Sequence, residues 1–108
     1  MSKEIEVSND SLDGLLRENG LTVLRFTAPW CGPCRRLAPV LEEVAETRED
    51  VNFVKVDCDE NKDTPIKFGV RSIPHIVIVD KDGTMVSDHT GVCSADKVNQ
   101  LIDDALLK

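Results

Sequence analysis

The sequence predicts a single α/β domain, in which a central mixed sheet of about five strands is flanked by four helices. The chain of 108 residues has the size of one domain, and we assign residues 1–108 to it. Strand-like and helix-like segments alternate in the order β-α-β-α-β-α-β-β-α, which is typical of a sheet covered by helices on both faces. The tight Asp82-Gly83 turn near the end predicts an antiparallel pair at the sheet edge.

The first half of the chain is predicted from its apolar periodicity. In order, it contains a strand over 3–7, a helix from a cap at Asn9 or Ser11 to about Glu18, a buried strand over 21–28, a helix over 33–48 and a strand over 51–56. The strands alternate or are β-branched, and the helices carry leucines and valines three or four residues apart. Pro39 lies inside the second helix, where it removes one backbone hydrogen bond and is expected to kink the helix.

The second half is predicted from its turn and cap residues. It contains a short helix over 62–68 that Gly69 ends, a β-branched strand over 75–79, the Asp82-Gly83 turn, a strand over 84–89 and a final helix. Ser94 can cap that last helix, because its hydroxyl can accept a hydrogen bond from a free N–H group of the first turn. The apolar stripe of this helix consists of Val98, Leu101, Ile102 and Ala105.

Composition excludes several classes of function. The chain has 20 acidic and 13 basic side chains, a net charge of -7, so phosphates would repel it and nucleic-acid binding is disfavoured. No apolar run approaches the roughly 18 residues of a membrane helix. Residues 1–10 are charged and lack the apolar core of a signal peptide. We therefore expect a cytoplasmic protein with no membrane or nucleic-acid partner, and we expect a monomer.

The segment that carries chemistry lies where the second strand meets the second helix. Cys31 stands at the helix start, where free N–H groups and the helix dipole favour a thiolate, so it is the candidate nucleophile. Cys34 lies one turn further in, close enough to close a small disulfide ring, and is the candidate resolving thiol. Gly32 lets a substrate chain approach, Pro33 stiffens the ring, and Trp30 supplies an apolar wall.

Other interpretations of the cysteine pair are weaker. Half of a zinc site would need a second close pair of ligands, whereas the other candidates are single and far apart, namely Cys58, Cys93, His75 and His89. A purely structural disulfide is disfavoured, since so short a loop removes little entropy from the unfolded chain. We therefore predict no metal site, and we interpret Cys58 and Cys93 as ordinary small residues.

The segment 30–34, Trp-Cys-Gly-Pro-Cys after a buried strand, resembles the thioredoxin family. The resemblance covers nearly the whole chain. Residues 55–57 fit the family's third strand, 71–74 its Ile-Pro loop, 91–92 its third substrate-facing loop, and Pro39 its kinked helix. The thioredoxin fold is therefore the expected architecture.

The resemblance also implies an activity and a binding surface. It implies a general protein disulfide reductase that binds no cofactor and acts on disulfide-containing client proteins. It also implies that a flavoprotein thioredoxin reductase supplies the electrons from NADPH. Pro74 should be cis and pack against the disulfide, and the Ile73 backbone should pair with an extended client segment. The implied contact surface consists of Trp30, Gly32, Pro33, Ile73, Pro74, Gly91 and Val92.

Two other functions remain open at this point. One is a more oxidising oxidase or isomerase of the same superfamily. Gly32-Pro33 argues against it, because isomerases usually carry Gly-His there, while Arg25 favours it slightly. The other is a binding subunit of a larger complex, in which the thiols are incidental.

Arg25 is the main departure from the family pattern, which usually has a buried aspartate six residues before the first cysteine. One hypothesis is that its positive charge stabilises the Cys34 thiolate and makes the couple more oxidising. The alternative is that its guanidinium reaches the surface and only its stem is buried. Lys55 adds like-charge repulsion unless Asp57 or another carboxylate intervenes. We therefore group Arg25, Lys55 and Asp57 with Gly32 and Pro33 as candidate modulators of the active site.

Two smaller departures lie close to the motif. Thr27 stands where the family often has an aromatic residue, which removes some packing beside the cysteines. His75 follows Pro74 where a smaller residue is usual. It could titrate near the site, or it could be a structural residue at the start of a strand.

Overall fold

The computed structural model describes residues 4–6 and 20–108. Its elements are the strands β1 (Glu4–Glu6), β2 (Thr22–Thr27), β3 (Asn52–Asp57), β4 (His75–Val79) and β5 (Met85–Thr90), and the helices α1 (Gly32–Thr47), α2 (Asp63–Lys67) and α3 (Ala95–Leu106). Each corresponds to a predicted element, with ends displaced by at most a residue or two. The fourth predicted helix, between Asn9 or Ser11 and Glu18, lies outside the described residues.

The sheet is mixed, as predicted, and has the strand order β1-β3-β2-β4-β5. Strands β1, β3 and β2 are parallel, while β4 is antiparallel to β2 and β5 is antiparallel to β4. The predicted antiparallel pair at the edge is therefore confirmed as β4 and β5. At their turn, Gly83 has a φ of 82°, and the Asp80 carboxylate accepts hydrogen bonds from the N–H groups of Asp82 and Thr84.

Helices cover both faces of the sheet, as the alternation predicts. Helices α1 and α3 pack on one face, where the core consists of Val23, Leu37, Leu41, Val44, Ala45, Val51, Phe53, Ile76, Ile78, Val98, Ile102 and Ala105. The other face buries Leu24, Phe26, Val54, Val56, Val77 and Val79, and Phe68 at the end of α2 packs against it. Because side chains alternate along a strand, Arg25 lies on the same face as Val23, beneath α1.

Both long helices have side-chain caps at their first turns. The Ser94 hydroxyl accepts a hydrogen bond from the Lys97 N–H at 3.1 Å, which confirms the predicted cap of α3. The cap of α1 is the Cys31 sulfur, which accepts from the Cys34 N–H at 3.2 Å. Pro39 lies inside α1 as predicted.

We expect Ser94→Ala to lower the free energy of unfolding by about 1 kcal/mol, because one N–H group of the first turn of α3 loses its partner. Urea denaturation of the oxidised protein measures this loss. Ser94→Asp is the matched control, since an aspartate keeps an acceptor at the same place and suits the positive end of the helix. Equal stability of Ser94→Ala and the parent chain would contradict the importance of the cap.

Candidate active site

The two motif cysteines lie at the junction of β2 and α1 and form a disulfide, with their Cα atoms 5.3 Å apart. Cys31 is 5% exposed and Cys34 only 1%, so the second sulfur lies deeper, as predicted. The Cys31 N–H donates to the Ala28 carbonyl at 3.2 Å, which closes the turn between strand and helix. Pro33 lies in the first turn of α1, where the loss of an N–H group costs nothing. The sequence-predicted pair is therefore brought together at a helix N-terminus.

The loop before β4 forms the second wall of the site. The Ile73–Pro74 peptide bond is cis, as the family resemblance implies. Ile73 packs against a small cluster formed by Ala28 and the two cysteines. The Gly91 N–H donates to the Pro74 carbonyl at 2.9 Å, and Gly91 has a φ of 95°, a backbone conformation that favours glycine. This hydrogen bond ties the 91–92 loop to the cis-proline loop.

The surface around the disulfide exposes apolar groups. Trp30 is 68% exposed, Val92 is also exposed, and Ile73 is half-buried. The Trp30 indole N–H donates to the Asp59 carboxylate at 2.9 Å, which holds the ring beside the motif. Sequence reasoning did not identify Asp59. Its only signal was the acidic run directly after β3, which by itself does not indicate a contact with a tryptophan 29 residues away.

Arg25 is buried, and its guanidinium forms an ion pair with Glu4. The side chains of Arg25 and Glu4 are only 4% and 8% exposed. Arg25 Nε donates to Glu4 Oε2 at 2.7 Å, and Nη2 donates to Oε1 at 2.6 Å. The alternative in which the guanidinium reaches the surface is therefore wrong. A fully desolvated cation needs a partner, and a two-point contact with a carboxylate supplies one.

The hypothesis of an uncompensated positive charge behind Cys34 also needs correction. Arg25 lies opposite Lys55 in the β2–β3 pairing, and β1 lies beyond β3, so the arginine side chain reaches across β3 to Glu4. Glu4 is thus the carboxylate that pairs with Arg25. Its negative charge offsets that of Arg25, which leaves a nearly neutral pair where the hypothesis placed a cation.

A cavity of about 290 Å³ lies behind the disulfide and brings most candidate modulators together. Its lining consists of Arg25, Thr27, Ala28, Pro29, Cys34, Arg35, Ala38, Glu42, Lys55 and Asp57. Asp57 is 7% exposed and its Oδ1 accepts a hydrogen bond from the Asp59 N–H at 2.9 Å. Thr27, which replaces an aromatic residue of the family pattern, forms part of the same wall. Thr27 and Cys34 therefore border the same open space.

His75 has a structural environment. It is buried at the start of β4, and both of its ring nitrogens have partners on β5: Nε2 lies 3.0 Å from Asp88 Oδ2, and Nδ1 lies 3.1 Å from Thr90 Oγ1. These contacts link the two strands of the edge pair. They support the structural interpretation of this histidine.

The two remaining cysteines are free thiols outside the motif. Burial raises the pKa of the Cys58 thiol, with a further contribution from the Asp57 charge, and burial also raises the pKa of Cys93. Raised pKa values disfavour the reactive thiolate.

Within residues 4–6 and 20–108, no group of three or more His, Cys, Asp or Glu side chains is placed to hold a metal ion. No helix in this described part of the chain is long and apolar enough to span a membrane.

Comparison with known proteins gives one consistent family. The family model described as Thioredoxin matches residues 3–104. Thioredoxin from Listeria monocytogenes is 47% identical over 85 residues, which cover 78% of this chain and 82% of that protein. Thioredoxin from Bacillus subtilis is 41% identical over 88 residues, which cover 81% of this chain and 84% of that protein. Among solved structures, thioredoxin f from spinach chloroplast superposes with a TM-score of 0.88 at 33% identity, covering 97% and 95% of the two chains.

We expect Arg25→Met to lower the free energy of unfolding by about 3–5 kcal/mol, because it leaves the Glu4 carboxylate buried without its partner. Urea denaturation at neutral pH, with the disulfide intact, measures the loss. The double variant Arg25→Met/Glu4→Leu is the matched control and should be more stable than Arg25→Met alone, since no unpaired charge remains buried. If the double variant lost as much free energy of unfolding as Arg25→Met and Glu4→Leu together, the two side chains would not be coupled.

Proposed function

This chain belongs to the thioredoxin family, and from that premise we propose that it reduces disulfides in client proteins with the Cys31–Cys34 dithiol. Thiol–disulfide oxidoreductase activity is the family's chemistry, and the disulfide between these two cysteines at the α1 N-terminus is the observation that carries it. The direction of the reaction, the client proteins and the source of electrons are parts of the proposal.

In the proposed cycle, Cys31 is the nucleophile. The free N–H groups at the start of α1, including the Cys34 N–H that already points at the Cys31 sulfur, favour a thiolate there. This thiolate attacks one sulfur of a client disulfide. A mixed disulfide forms between Cys31 and the client, and the second client sulfur leaves as a thiolate that takes up a proton.

Cys34 completes the exchange. Its thiol loses a proton, and its sulfur attacks the Cys31 sulfur, which releases the remaining client sulfur as a thiolate that is then protonated. The client has gained two electrons and two protons, and the Cys31–Cys34 dithiol has lost them. The product is the oxidised state in which the structure shows the two cysteines.

The surface around the disulfide suits an extended client segment. The cis-proline loop leaves the half-buried Ile73 beside the cysteines, where its backbone can pair with a client strand. The exposed Trp30 ring, held by Asp59, and the exposed Val92 lie around it and offer apolar contacts. Gly32 and Pro33 are exposed at the motif itself, so the client backbone can approach the sulfur.

We further propose that the cycle runs in the cytoplasm, where a flavoprotein thioredoxin reductase returns electrons from NADPH to the Cys31–Cys34 disulfide. The chain itself needs no bound cofactor in this scheme, because the two sulfurs carry both electrons. The oxidising alternative is disfavoured, since Arg25 was the feature that supported it and Glu4 offsets that charge.

We expect the protein to reduce the disulfides of insulin when dithiothreitol supplies electrons, and also when NADPH and a thioredoxin reductase replace dithiothreitol. Cys31→Ser should abolish this turnover, whereas Cys34→Ser should accumulate a mixed disulfide with the client, visible as a mass increase after acid quenching. Cys93→Ala, away from the motif, is the matched control and should retain full activity. Turnover by Cys31→Ser would disprove the assigned nucleophile.

We expect a reduction potential near that of thioredoxins, about −270 mV, and well below the values of about −180 to −120 mV of isomerases and oxidases. Equilibration with glutathione buffers, read by tryptophan fluorescence, measures it, because Trp30 is the only tryptophan of the chain and adjoins Cys31. A potential in the range of isomerases or oxidases would favour the oxidising alternative over the reductase.

A further inference from the structure

The resolving step raises a question that the sequence leaves open, namely which group takes the proton from Cys34. In the disulfide state Cys34 is 1% exposed, and at this depth direct transfer of its proton to bulk water is hindered. The strand position that usually carries an acid in this family carries Arg25 instead, and an arginine cannot accept a proton. The acceptor must therefore lie elsewhere around the cavity behind the disulfide.

We propose that Asp57, at the end of β3, is the proton acceptor for Cys34 during resolution of the mixed disulfide. This inference rests on the proposed reductase cycle and adds a named group to its second step. Asp57 and Cys34 line the same cavity of about 290 Å³. Since one water molecule occupies about 30 Å³ in the liquid, this cavity has room for a short water chain between the sulfur and the carboxylate.

The other carboxylates near the cavity are less suitable. Glu4 has both oxygens engaged by Arg25. Glu42 lines the cavity from α1, but its side chain is exposed to solvent. Asp57 is 7% exposed, and its carboxylate, which offers roughly four acceptor positions, accepts a hydrogen bond from the Asp59 N–H. It is therefore the one buried carboxylate among the described residues that line this cavity.

The basic groups of the cavity assist the transfer. Arg25, Arg35 and Lys55 all line it, and a nearby cation favours a thiolate over a thiol. Glu4 offsets Arg25, and Arg35 also donates to the Pro29 carbonyl at 2.9 Å. Arg35 and Lys55 therefore favour the sulfur anion that forms, while Asp57 takes the proton that leaves.

The proton of the Cys34 thiol passes through cavity water to the Asp57 carboxylate, and the Cys34 thiolate attacks the Cys31 sulfur. The Cys34–Cys31 bond forms as the bond between Cys31 and the client breaks. The client leaves as a thiolate and takes up a proton from water. Asp57 then releases to water the proton that it received from Cys34, which regenerates its carboxylate.

The test is a single-turnover reaction of the reduced protein with a peptide that contains one internal disulfide. Stopped-flow fluorescence of Trp30 and acid quenching with mass analysis separate formation of the mixed disulfide from its resolution. In Asp57→Asn, formation should keep its rate and resolution should slow by about 10²-fold at neutral pH. An asparagine keeps the oxygen that accepts from the Asp59 N–H, so the fold should be retained, and urea denaturation checks this.

The pH profile separates a proton acceptor from a merely structural residue. In Asp57→Asn, the rate of resolution should rise nearly tenfold per pH unit around neutrality, because hydroxide must then remove the proton of Cys34. The rate of the parent chain should depend less steeply on pH. Asp57→Glu, which keeps a carboxylate, should restore part of the rate. Glu46→Gln, which removes an exposed charge from α1, is the matched control and should behave as the parent chain.

The outcomes distinguish this inference from the proposed function. Equal resolution rates and pH profiles for Asp57→Asn and the parent chain would overturn it, as would slow resolution in Glu42→Gln with normal resolution in Asp57→Asn. If the parent chain itself does not reduce the peptide, the proposed reductase function fails instead.

Discussion

The passage from β2 into α1 is the constraint on which the site depends. Only Ala28 to Trp30 separate the buried central strand from the cap residue of the helix, and the Cys31 N–H closes this turn on the Ala28 carbonyl. A sulfur at this place meets the unpaired N–H groups of the first turn, and a sulfur three residues later lies one turn deeper. The chemical difference between the two thiols therefore follows from where the chain changes direction.

Strand β2 also imposes an electrostatic constraint, through Arg25. Placing Arg25 under α1 removes its charge from water, and such burial is tolerated only with a well-placed partner. Glu4 is that partner because β1 lies beside β3 and Glu4 shares the sheet face of Arg25. A long arginine side chain extended across β3 reaches it there. The position of β1 in the sheet is thus coupled to the electrostatics behind Cys34.

Much of the fold could be predicted from the sequence, because strand periodicity, the Ser94 cap and the Gly83 turn are local signals. The cysteine pair and the cis Ile73–Pro74 bond were also predicted, the latter through the family resemblance. The order of the strands is not local, and neither are contacts that depend on it. The Glu4–Arg25 pair joins residues 21 positions apart, and the Trp30–Asp59 bond joins residues 29 apart. Burial of Arg25 could not be predicted, since a long cation can either reach the surface or pair beneath it.

At position 25, arginine stands where the family usually has an aspartate. The buried position beside Cys34 and the acceptance of its proton are therefore assigned to two different residues. An aspartate at position 25 would combine burial beside Cys34 with the ability to accept a proton. Arg25 keeps the burial, but it requires Glu4 for neutrality and leaves proton transfer to another group. The neighbouring strand can supply that group because β2 and β3 run parallel, with Thr27 opposite Asp57 at the end that faces the cysteines. Parallel pairing therefore allows the acid to move one strand away while it remains at the same cavity.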